Sequence, residues 1–239
     1  MSADEKAVEE AAKTLRQYLD PMLLEPLSEL GLLAKDKIAF WRFKNQVKTL
    51  IKAKEIIDQS GIDTSTIRSS ISPDLVIPLI ESSGDSSDPT LQEMFANLLA
   101  NAVKNADNGL VHPSYAKALN QMSPLDAHLI NLLYKDVKRY EMAYAAGKEI
   151  PNLRENTPIY RQLIFDIEEA LEVTGQSKEV ITISFQNIRR LGVCDQGVEV
   201  LNFMNRKEFL AFTDYGYSLA QQCIALKELK FPRFFIPPP

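Results

Sequence analysis

The sequence predicts a mainly α-helical protein, an N-terminal helical bundle followed by a C-terminal winged helix-turn-helix with a two-stranded wing. Three observations carry this. Apolar residues recur at three- and four-residue steps through the first half. Ser72, Asp88 and Ser123 each stand before a proline, which places a capping side chain ahead of Pro at the first helical position. After Gly175 the order becomes short helix, two strands rich in Val, Leu and Phe, and a last helix. The expected organisation is a helical region over 1–122, a winged-helix domain over 123–230 and a Pro/Phe tail over 231–239.

The elements follow in order. Residues 7–18 have helix-forming composition, and Asp20-Pro21 interrupts them. From Leu33 a long amphipathic pattern begins, with Phe40, Phe43, Val47, Leu50 and Ile57 on one stripe. Asp36 and Lys54 fall on the same stripe, so it is not a coiled-coil seam. The helix after Asp88 presents Leu91, Phe95, Leu98, Leu99, Ala102 and Val103, a broad apolar face of the kind that packs inside a bundle. Asn108-Gly109 marks a turn. A short helix is expected over 113–122, and a long one from Ser123 with Leu125, Leu129, Leu132 and Leu133 inward. Residues 148–157 read as a polar loop.

A second helix of the C-terminal domain is expected over about 159–173, and a third over 184–191 with Phe185, Ile188 and Leu191 on one side. Gly192 stands where a left-handed stop is needed. Strands are expected over 193–201 and 208–212, with 202–207 as the hairpin tip. Thr213 can cap a last helix over 214–229.

Composition excludes several classes. The chain has 239 residues, 45% of them hydrophobic, and a formal net charge of −5, so it is a poor non-specific coat for nucleic acid. The polar, acidic start lacks a signal-peptide pattern. Charges interrupt the apolar stretch 22–43, so it does not read as a membrane span. Cys194 and Cys223 are the only cysteines, too few for a disulfide framework, and read as buried thiols in a reducing cytoplasm.

No catalytic constellation stands out. The two histidines are His112, before a proline, and His128. Asp126 and His128 are two residues apart and leave a helix in different directions. No Cys or His pair has metal-site spacing, and no phosphate loop or nucleophile elbow is present. The expectation is a non-enzyme with neither metal nor organic cofactor.

Three groups of residues are candidates for binding. On the third helix, Gln186, Asn187, Arg189 and Arg190 lie away from the apolar side, and Arg206 and Lys207 lie at the wing tip. Amides and guanidinium groups are the types that contact base edges and phosphates. Against this, residues 175–239 carry eight cations and six anions, a weak basis for phosphate neutralisation. Lys44, Lys48 and Lys52 lie on the long helix away from its apolar stripe. They are either a solvated face or a surface for phosphate or anionic lipid, and the expectation is that peripheral membrane contact is minor. Phe231, Phe234, Phe235 and Ile236, restrained by prolines, are expected to form a contact arm, on the protein's own fold or on a partner.

Leu91-Gln92-Glu93-Met94-Phe95-Ala96-Asn97-Leu98-Leu99-Ala100, then His112-Pro113-Ser114-Tyr115, then Met122-Ser123-Pro124-Leu125-Asp126-Ala127, resemble the abortive-infection alpha family of bacterial proteins. Ile188-Arg189-Arg190-Leu191-Gly192-Val193 and Phe212-Thr213-Asp214-Tyr215-Gly216 resemble its ending. The resemblance spans about 71–224, and the polar connection at 140–158 departs from it. It implies a bacterial source and a link to phage defence, and it transfers no catalytic residues. The expected function is therefore a component of antiphage defence acting by protein recognition and assembly, with a protein partner or a second copy of the chain. A winged-helix DNA-binding regulator is the alternative.

Overall fold

The computed structural model describes residues 37–60, 73–105, 111–148, 150, 157–202 and 205–225. The chain divides into two compact units, Met1–Gln121 and Met122–Pro239. The described residues are mainly helical, with one small three-stranded antiparallel sheet. Among them, no helix is long and apolar enough to cross a membrane.

The first unit is built on α1 (Lys37–Gln59), α2 (Pro73–Gly84), α3 (Pro89–Lys104) and α4 (Ser114–Asn120). α1 turns Val47, Leu50, Ala53 and Ile57 into the core and leaves Phe43 half-buried, so these members of the expected stripe pack, while the Phe40 side chain lies outside what is described. Asp88 caps α3 by accepting from the backbone N–H groups of Thr90 and Leu91, both at 3.0 Å. All six apolar residues expected to line α3 are buried. A buried polar latch joins three helices. Asn45 donates to the carbonyl of Gly84 at 3.1 Å, and Gln92 donates to those of Ser86 at 2.7 Å and Asn45 at 3.3 Å. Each amide thereby serves a carbonyl beyond its own helix, at the end of α2, in the turn that follows it and on α1. His112 caps the start of α4 locally, with Nδ1 accepting from the Ser114 N–H at 3.2 Å and lying 2.8 Å from its hydroxyl.

The second unit contains α5 (Pro124–Ala145), α6 (Ile159–Gln162), β1 (Phe165–Asp166), α7 (Ile167–Thr174), α8 (Lys178–Arg190), β2 (Cys194–Asn202), β3 (Asn205–Phe212) and α9 (Asp214–Cys223). Ser123 and Asp126 cap α5 reciprocally, at 2.7 and 3.1 Å. The single helix expected over 159–173 is instead two helices around a strand. Leu163 is extended, Phe165 and Asp166 pair with Leu210 and Phe209, and Asp166 starts α7 by accepting from the Glu169 N–H at 2.8 Å. The sheet accordingly has three strands in the order β1-β3-β2, where the sequence reading had two.

Other boundaries also move. α8 begins at Lys178, six residues before the expected start, because Gly175 ends α7 in the left-handed region (φ 65°) and Ser177 caps the next helix. The hairpin tip shortens, since β2 and β3 pair from Cys194↔Phe212 to Asn202↔Asn205 with an irregularity between Val200 and Asn202. Gly192 is left-handed (φ 71°), as expected, and its N–H donates to the Arg189 carbonyl at 2.8 Å. Thr213 caps α9, which stops at Cys223 with Ile224 extended, well before the expected end at 229. α8 packs on α5, α7 and β2, and Ile181, Phe185 and Ile188 join Leu129, Ile130, Phe212 and Leu219 in the core.

Candidate recognition surface

The second unit holds a groove of about 750 Å³ where the start of α5 meets the end of α7 and the open side of α8. Its polar floor is Asp126, a carboxylate only 1% exposed. Oδ2 of Asp126 accepts from the Ser123 N–H at 2.7 Å and from Nδ2 of Asn187 at 2.6 Å, and Oδ1 accepts from the Ser184 hydroxyl. Asn187 turns its own oxygen to Arg190, which donates through Nε at 3.2 Å and Nη2 at 2.9 Å. A buried carboxylate with this many donors has both oxygens hydrogen-bonded. The floor therefore fixes α8 against α5.

The walls are apolar. Val173, Val180 and Ile183 are 51, 42 and 65% exposed, and His128 stands at the rim. Val180 and Ile183 are three apart on α8, so they lie on one side of it, with Asn187 one turn further along. Exposed Val and Ile side by side are a cost that a lone surface residue does not raise.

The sequence-expected residues fall into three groups here. Gln186, Arg189 and Arg190 are exposed on α8, while Asn187 is half-buried and committed to Asp126 and Arg190. Arg206 and Lys207 lie in β3 opposite Val200 and Glu199, at the end of the hairpin. Lys44 and Lys48 are exposed and Lys52 half-buried on α1, in the other unit. Phe231, Phe234, Phe235 and Ile236 lie outside the described residues. Asp126, Ser184, Val180 and Ile183 were not singled out by sequence as a surface. Only the Ser123-x-x-Asp126 capping spacing signals any part of it.

A second cluster clamps α6 and α9 to α5. Tyr160 stacks on Tyr217 with ring centres 4.1 Å apart and planes 8° apart. The Tyr217 hydroxyl donates to Glu141 at 2.6 Å and accepts from Lys138 at 2.7 Å, while Tyr160 donates to Asp214 at 2.7 Å. Burial pushes the Tyr134 phenol up to about 12, and burial and the Glu141 bond push Tyr217 up as well. Both stay protonated at neutral pH, as a structural phenol does. Burial likewise pushes the thiols of Cys194 and Cys223 up, which removes the thiolate that nucleophilic chemistry needs. Among the described residues no group of three or more His, Cys, Asp or Glu could hold a metal ion.

The family model described as abortive infection alpha matches residues 42–223, a span that takes in α2 to α9 and nearly all of α1. No curated protein and no solved structure matches the chain.

Proposed function

We propose that this chain, which belongs to the abortive infection alpha family, is a non-enzymatic component of abortive-infection-type phage defence that works by protein recognition and assembly. The family supplies the defence context. The order α5, β1, α7, α8, β2, β3, α9, with β3 between β1 and β2, supports a winged helix-turn-helix in the second unit. On that reading α8 is the third helix, which in such domains is the one presented to a partner.

The observation that carries protein recognition is what α8 presents. Its open side offers Val180 and Ile183 beside a groove, and one of its two candidate base-reading amides, on Asn187, is spent on Asp126. Apolar side chains flanking a shaped cavity suit a protein surface better than a phosphate backbone. The buried thiols and phenols support the non-enzymatic part.

Plating efficiency of phage on bacteria expressing the chain tests this. Val180→Glu with Ile183→Glu should abolish protection while leaving the melting temperature within a few degrees, since both positions face water. Arg189→Ala with Arg190→Ala should keep most of the protection. The opposite ranking, together with a salt-dependent gel shift by the wild type at physiological salt, would establish the DNA-binding alternative.

A further inference from the structure

We propose that the outward side of α1 is a docking face for an anionic lipid bilayer, with Trp41 entering the headgroup layer at the head of a row of lysines. Trp41, Lys44, Lys48 and Lys52 are spaced three, four and four residues apart, so they form one stripe down the helix. The opposite side, with Leu50, Ala53 and Ile57, is packed in the core. The stripe is therefore oriented by the fold, and its stretch from Trp41 to Lys52 is about 16 Å long at 1.5 Å per residue.

Its charge is unbalanced. The first acid in α1 is Glu55, which ends the stripe three residues after Lys52, and only Asp58 follows it. Arg42 is paired with Asp85 at 2.8 Å and Lys54 with Asp58 at 2.8 Å, both away from the stripe. Lys44, Lys48 and Lys52 have no ion pair with a described residue, and Lys44 and Lys48 are exposed. A chain of net charge −5 thus keeps on one helix side a row of cations that pair with no acid among the described residues. An anionic surface is the complementary partner, and the overall negative charge restricts the contact to this side.

Trp41 decides which anionic surface. It is 41% exposed at the head of the cationic row, and it is the only Trp in the chain. An indole in water wastes a large apolar ring, whereas the headgroup layer takes both its ring and its N–H. Lysines further along the stripe can carry their ammonium groups to lipid phosphates while their stems lie along the same layer. A DNA duplex would accept the lysines but offers the ring no place. The contact is peripheral and salt-sensitive, since each lysine contributes about a fivefold gain in partition, the factor of roughly 1 kcal/mol.

The single Trp makes the test site-specific. The full chain is mixed with vesicles of equimolar phosphatidylglycerol and phosphatidylcholine, and separately with phosphatidylcholine alone, while Trp emission and flotation are recorded. The expected result is a blue shift and flotation with the anionic vesicles only, reversed at high salt. Lys44→Gln, Lys48→Gln and Lys52→Gln together should lower partition about a hundredfold, the product of three such factors. Lys117→Gln, at an exposed position on α4, should leave it unchanged, and Lys48→Gln alone should cost about fivefold if the triple variant fails to fold. Flotation without a blue shift, equal binding to neutral vesicles, or lysine variants that bind like the wild type would overturn the proposal. So would a blue shift given by a single-stranded oligonucleotide and not by vesicles, since that would make the face a nucleic-acid groove.

Discussion

Asp126 illustrates what a single residue can conceal. Its capping role is local, three residues from Ser123, and the spacing announces it. Its partners Ser184 and Asn187 are 58 and 61 residues away, and nothing in a linear pattern links them to it. That is why the sequence marks Asn187 as a candidate base contact without showing its bond to Asp126. Glu169 is a different case, an acid raised to about 7 by partial burial and then by the charges of Asp136, Asp166 and Glu172. Its ordinary value is 4.5, so between pH 4.5 and 7 the folded state binds more protons than the unfolded one. Stability therefore falls as pH rises through that window, and the full penalty applies above it. Glu169→Gln should melt higher than the wild type at pH 8 and at the same temperature at pH 4. Because the side chain still touches water, the gain should stay below about 1 kcal/mol. Identical melting curves at pH 8 would mean that the neighbouring acids do not act on it.

At the scale of elements, the long amphipathic helices were legible and the shortest pieces were not. α3 and α5 declare themselves by cap, proline and apolar spacing, which reinforce one another. β1 is two residues long and has no period to detect, and it interrupts a stretch whose apolar spacing also suits a helix. Its one sequence signal is the Asp166-x-x-Glu169 cap that restarts the helix behind it. The junction of β2 with α9 depends on a close approach that sequence could mark only as a glycine. A Cβ built on Gly216 would lie 1.7 Å from the carbonyl oxygen of Val193, which is backbone and cannot rotate away. Thr213 ties the same place together, donating to the Gly192 carbonyl at 2.7 Å and accepting from the Gly216 N–H at 2.9 Å. Gly216→Ala should therefore cost more than about 3 kcal/mol, the upper range for overpacking, and in a chemical denaturation series should unfold the second unit first. Gly147→Ala, where no atom lies within 4 Å of the added carbon, isolates the effect of crowding from the strain of a positive φ. Equal losses at the two positions would argue against the close approach.

The whole molecule has two compact units, each with its own apolar interior. The first is filled by Leu79, Phe95, Leu98 and Leu119, the second by Leu129, Ile181, Phe185 and Phe212. The second unit is 118 residues long (239 − 121), within the usual size of an independent domain. Its sheet, hairpin and cap hydrogen bonds close within the unit, as do the Asp126 and Tyr217 networks. A fragment beginning at Met122 should accordingly fold alone, with a single cooperative thermal transition followed by circular dichroism. It should also separate the two surfaces. The fragment keeps Val180, Ile183 and the groove but lacks Trp41 and the lysine row, so it should compete with the full chain for a protein partner and fail to float with anionic vesicles. A fragment that melts without a cooperative transition would mean that the first unit completes its core. A folded fragment that floats as well as the full chain would place the lipid contact outside α1.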